Sequence, residues 1–276
     1  MSKKSRKWFL LWCILIAVFL VRGLLPWIIL WASSPSLGFL GSFTASFSSD
    51  PEGAKVIEES ATILLIGGGT FLVFLFFHWL FLEPKHYGLK GEEFIHKNGV
   101  WFFAVVSVLL SVIVWEAIKI RPWMAFGAVI GSTAFFITHG FKENAEQMEK
   151  QMLEGSAEMS DISKIFYLEV IDATFSIDGI LGAFAFTFIL PLILIGNGIG
   201  ALVVRQLTVS NIERVKRYKY LKNGAMYSIF ALGSVMILHS FGAHIPEWIS
   251  PVLTFGIIGY FFWKSVREIK SNPKTA

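Results

Sequence analysis

The sequence predicts an all-α polytopic membrane protein of about eight spans, and three observations lead there. Of the 276 residues, 54% are hydrophobic and only 16% charged, too apolar a balance for an ordinary soluble domain. Apolar windows of spanning length recur along the chain, and helices fill them economically because each satisfies its own backbone hydrogen bonds in lipid. The basic residues gather in short clusters beside those windows, so the net charge of +4 reports orientation in a bilayer rather than a nucleic-acid partner. Cys13 is the only cysteine, which excludes an intramolecular disulfide, a thiolate cluster and a CxxC redox pair.

The first span covers 8–32. It follows the basic MSKKSRK, but its run from Trp8 to Ala32 is far longer than a signal-peptide core, so it is expected to be retained. A long loop follows at 33–59, containing Pro, Ser, Gly and four acids. The second span, 60–82, carries GGGT (67–70), which lacks the GK[ST] ending of a phosphate loop and is assigned to close helix packing. Spans at 100–117 and 123–140 are joined by a short basic turn, where Glu116 and Lys119 read as a solvated helix end. A polar, partly helical connector at 141–162 separates a first membrane half, 1–140, from a second, 163–276. That second half holds spans at 163–189, 191–209, 223–242 and 248–263.

With the N-terminus inside, the inner segments hold 19 Lys and Arg and the outer ones only Lys55, Lys119 and Arg121. This asymmetry places both termini in the cytoplasm and fits an even span count. A weak internal echo links the halves: ILIAVFLVR (14–22) and ILIGNGIGALVVR (193–205) are both apolar and both end on a Val-Arg step. His78 and His239 have no second His or Cys at ligand spacing and are assigned to the core or a cavity edge, with His139 at a span end. Trp8, Trp12, Trp27, Trp31, Trp79, Trp101 and Trp263 are assigned mostly to the interfacial belts.

The stretch YLEVIDATFSIDG (167–179) puts Glu169, Asp172 and Asp178 inside an apolar run. One central aspartate costs roughly 2.5–3.5 kcal/mol on insertion scales, so three unpaired charges would cost about 8–10 kcal/mol. At 100° per residue Glu169, Asp172 and Ser176 share one helical face, so two carboxylates and a hydroxyl line one wall. Asp178 points to the other side and joins them only where the helix breaks, which Gly179, Gly182 and Pro191 permit. Discontinuous helices at mid-membrane depth are a recurring way for transporters to present ligand oxygens. The next span adds Asn197, an amide oxygen, between glycines that permit close helix approach. All of these are hard oxygen ligands and suit Mg2+, Ca2+ or Mn2+. The structural alternative is that Arg205 neutralises one acid while another is protonated, as a packing device.

YLEVIDATFSIDGILGAFAFT, GNGIGALVVRQLTV and YLKNGAMYSIFALGSVMI resemble the second half of a TerC-like integral membrane protein, in the larger bacterial branch long catalogued as a domain of unknown function. FLLWCILIAVFLVRGLLPWII and GGGTFLVFLFF resemble the same branch, so the similarity covers nearly the whole chain. The resemblance implies an inner-membrane bundle of two repeat-related halves, historically linked to tellurium resistance, with members similar to manganese exporters. In the family pattern each repeat opens on an acidic helix, Glu-x-x-x-Ser-x-Asp-Asn in the first copy and the Asp-Gly version in the second. By position, Glu169, Asp172 and Asp178 are then the second repeat's cation-handling acids, with Ser176 beside them. Glu169 precedes Arg205 by 36 residues, whereas only 21 residues precede Arg22, so the first acidic helix is expected to be absent, or supplied by another subunit.

The function expected is export of a divalent cation, Mn2+, across the inner membrane, with the ion as cargo and no resident cofactor. The rival is a non-transporting scaffold or stress-complex component, an inactive truncated homologue. An enzyme is not expected, since neither an HExxH pair nor a nucleophile with its base is present.

Overall fold

The computed structural model describes residues 22–33, 35–47, 51–153, 177, 179–187, 189–200, 203, 217–246 and 248–271. Among these the regular elements are helices: α1 (Arg22–Ser33), α2 (Gly38–Phe47), α3 (Pro51–Leu82), α4 (Glu92–Lys97), α5 (Phe102–Ile120), α6 (Pro122–Leu153), α7 (Leu190–Gly200), α8 (Leu221–Ser240) and α9 (Ile249–Ser271). Short 3-10 turns at Pro35–Leu37 and Gly99–Trp101 lead into α2 and α5. Pro51 and Pro122 open their helices, where a missing N–H is no loss. Pro122 also ends α5: the residue before a proline is pushed out of the helical region, and Arg121 is extended at φ −151°, ψ 127°.

Five segments are long and apolar enough to cross a membrane: Ser60–Leu82, Gly99–Ile120, Pro122–Asn144, Leu221–Ser240 and Ile249–Ser271. On α5 and α9 the large side chains Phe103, Val108, Trp115, Val252 and Phe255 stand exposed, a surface that lipid covers and water would not. The chain is a multi-pass helical membrane protein. The expected spans at 8–32, 163–189 and 191–209 lie partly or mostly outside the described residues; α1 covers part of the first, residues 177, 179–187 and 189 part of the second, and α7 part of the third.

One expectation changes. The stretch 33–59 is not a long loop: α2 and the first turns of α3 occupy most of it. The connector is partly helical, as expected: α6 runs on through Leu153, with no Gly or Pro between 141 and 153 to stop it.

The chain forms two compact units. The first comprises Met1–Ser60, Thr133–Ala183 and Thr187–Ala201. Within it, Gly38 (φ 69°) makes the turn between α1 and α2, a conformation that favours glycine. The Trp27 indole then donates to the Phe39 carbonyl (3.0 Å) and to Ser42 Oγ (3.1 Å), while its ring lies 4.0 Å from that of Phe39. These contacts give the helix at 38–47 a partner that a sequence window does not show.

The second unit comprises Ala61–Ser132, Phe184–Phe186 and Leu202–Ala276. Its helices meet at glycines. A Cβ on Gly67 would stand 2.8 Å from the Gly127 carbonyl oxygen, one on Gly131 would overlap the Gly67 oxygen, and one on Gly69 would stand 2.8 Å from the Gly233 oxygen. The GGGT stretch is therefore a packing surface, as expected, pulling α6 and α8 against α3. Ile66, Ile113, Ala117, Met124, Ala125 and Ala128 fill the space between α3, α5 and α6. On α8, Gly224 lies against Phe261 and Ile258 of α9, and Tyr227 stacks on Phe261 at 5.4 Å.

Candidate functional site

Of the residues expected to handle a cation, Glu169, Asp172, Ser176, Asp178 and Arg205 lie outside the described residues. Asn197 is described. It sits half-buried on α7, in the first unit, and its amide nitrogen is buried without a hydrogen-bond partner. The expected close approach at Gly200 is not found, since no atom lies within 4 Å of where its Cβ would be.

In the second unit the structure gathers a buried carboxylate that sequence reasoning missed. Glu92 begins α4 and is only 2% exposed. Its Oε2 accepts from Gly88 N–H at 2.7 Å and from Asn223 Nδ2 at 3.1 Å. Its Oε1 accepts from Leu89 N–H at 3.1 Å and from the Tyr227 hydroxyl at 3.0 Å. The Asn223 amide donates as well to the His86 carbonyl at 2.9 Å. Four donors use the four acceptor positions of a carboxylate, so Glu92 is a knot tying the 83–91 loop to α8 rather than a ligand awaiting an ion. Part of it was legible, since Gly88 and Leu89 are local to Glu92. Asn223 and Tyr227, 131 and 135 residues away, were not.

Cations surround this knot. The Lys85 ammonium donates to the Trp79 carbonyl at 2.7 Å and to the Leu80 carbonyl, the free acceptors at the C-terminal end of α3, and lies 4.3 Å over the Trp79 ring. Burial lowers its pKa to about 8, against the opposing pull of Glu92 and Glu83. Lys222 pairs with Glu83 at 2.6 Å, Lys219 with Glu268, and Lys264 donates to the Gly88 carbonyl. Burial and a hydrogen bond to Glu268 push the Tyr220 hydroxyl up to about 12.

The secondary candidates sort as follows. His78 is buried, 3.7 Å from Glu83 and edge-on to Phe102, the core position expected. His239 is exposed instead, on the outer side of α8. Lys119 and Glu116 form the expected half-exposed pair at 2.7 Å. Trp101 and Trp263 are exposed, but Trp79 is fully buried against Phe76 and Tyr227 and belongs to the core, not to a belt.

No curated protein and no solved structure matches this chain. Residues 1–272 match the family described as "Protein of unknown function (DUF475)", and the chain belongs to that family.

Proposed function

We propose that this protein is a divalent-cation transporter of the bacterial inner membrane, exporting Mn2+, with Glu169, Asp172 and Asp178 as the ion's ligands. The observation that carries the reading is the acid-bearing segment itself, three carboxylates in a run otherwise fit for lipid in a multi-pass helical protein. Ser176 and Asn197 add neutral oxygens. The buried, unpartnered position on the Asn197 amide supports this, because turning the amide over presents an oxygen there, the donor a hard cation takes. The acids bind the dehydrated ion near the midplane, rocking of the halves exposes it to the other side, and protonation of the same acids releases it. Arg205 holds an acid in place between cycles.

The test is intracellular manganese. Cells lacking the gene and supplied with Asp178→Asn stay overloaded on this reading, while cells supplied with the wild type recover. Full recovery with Asp178→Asn overturns the site assignment.

One observation favours a second reading, in which the protein is a membrane scaffold. Glu92 demonstrates that this fold buries a carboxylate for architecture alone. If Glu169, Asp172 and Asp178 do the same, Asp172→Asn lowers the protein's abundance in the membrane and leaves metal content per molecule unchanged.

A further inference from the structure

Within the second unit, α8 and α9 line an open groove of about 530 Å3, in the size range of ligand pockets. Tyr227, Ala231 and Leu238 form one wall, Leu253, Gly256 and Tyr260 the other. The polar groups along α8 are already satisfied: the Ser234 hydroxyl donates to the Phe230 carbonyl at 2.8 Å, and Tyr227 donates to Glu92. Apart from the Tyr260 hydroxyl, the groove thus offers a long, almost wholly apolar slot. In a membrane-spanning helix pair, what fills such a slot is a hydrocarbon chain.

The end of the groove says which lipid. Leu253, Gly256 and Tyr260 recur at helical spacing, and the same face of α9 continues to Lys264 and Arg267. Lys264 uses one N–H on the Gly88 carbonyl and lies 5.0 Å over the Tyr220 ring, and an ammonium carries three donors. Lys90, exposed, follows groove-lining Leu89. The segments 83–97, 217–222 and 264–270 meet here through the Lys222–Glu83, Lys219–Glu268 and Lys264–Gly88 contacts. Together they carry nine basic and four acidic side chains, an excess of five positive charges at one end of an apolar slot.

We propose that the α8–α9 groove seats an acyl chain of an anionic phospholipid whose phosphate lies against Lys264, Lys90 and Arg267. The partner is a bilayer lipid bound in one place, and the proposal depends on the membrane setting alone, independent of the transport reading.

The experiment uses the full chain, delipidated in detergent and titrated with phosphatidylglycerol or phosphatidylcholine of identical chains, with bound lipid counted by native mass spectrometry. Wild type is expected to retain one phosphatidylglycerol in clear preference to phosphatidylcholine. Ala231→Phe with Gly256→Phe fills the groove and lowers retention of both lipids. Lys90→Gln with Arg267→Gln lowers phosphatidylglycerol retention about fivefold per charge and leaves phosphatidylcholine unchanged, as removing one basic residue near an anionic surface does. Equal retention of the two lipids by wild type overturns the proposal. So does unchanged retention in the filled groove, or a wild-type dimer that groove filling converts to monomer, which would make a second copy the occupant. Circular dichroism checks helicity, and if the filled variant does not fold, the two-lipid comparison on wild type and on the charge variant decides.

Discussion

A carboxylate inside an apolar helical protein persists either because donors surround it or because it has a cation to meet, and Glu92 takes the first route. Removing it leaves four donors without an acceptor, two of them buried and two partly buried, so Glu92→Ala is expected to destabilise the fold by ~3 kcal/mol or more, and Glu92→Gln, which keeps one acceptor oxygen, by less. Thermal unfolding in detergent checks the order, and equal midpoints for the two variants would contradict it. Lys85 gives a pH signature. Its pKa is about 8 in the fold against 10.5 ordinarily, so between those values the unfolded chain holds a proton that the folded chain has released, and stability rises with pH. Tyr220, pushed from 10.0 to about 12, acts oppositely: above pH 10.0 the fold keeps a proton that the unfolded chain loses, and stability falls. A melting temperature that rises from pH 8 and turns over near pH 10 is expected, with the rising limb lost in Lys85→Met. At this scale the sequence showed which residue types were out of place in lipid, and did not show Glu92, because half of its donors come from a helix more than 130 residues on.

Helices in this protein are set against one another by glycine. The sequence marked GGGT as a packing surface from its position within an apolar span, but did not name what it packs on, since Gly127, Gly131 and Gly233 are unremarkable in their own windows. Gly131→Ala forces its Cβ into the Gly67 carbonyl and is expected to cost ~1–3 kcal/mol by separating α3 from α6. Gly140→Ala, where a Cβ meets nothing, is expected to be tolerated on the same helix. Comparing the melting temperatures of the two variants decides the matter, and equal behaviour would mean that the glycine contact does not hold the helices together. Helix ends divide in the same way. Pro122 stops α5 through a local steric rule that any reader of the sequence can apply. The helix at 38–47 exists because Trp27 receives it, a contact that no local window contains.

For the whole molecule, the alternation of α3, α5, α6, α8 and α9 as spans makes orientation testable. From the clustering of Lys and Arg we propose that 85–97 and 214–222 face the cytoplasm and 118–122 the outside. In a Cys13→Ser background, Lys90→Cys is expected to resist a membrane-impermeant thiol reagent added to intact cells, and Lys119→Cys to react. The opposite pattern would invert the topology and move the basic end of the α8–α9 groove to the outer face. The sequence by itself determined that this chain lives in a bilayer as a bundle of helices, because hydropathy, helix length and charge placement are sums over neighbouring residues. Only the tertiary structure decided that Trp79 is core and His239 surface, that Glu92 is fully bonded, and that α8 and α9 leave an apolar slot ending in positive charge. The burial of Trp79 and the bonding of Glu92 depend on which side chains of a helix more than a hundred residues away arrive at a given face, and the slot depends on how two neighbouring helices pack, neither of which a local window contains.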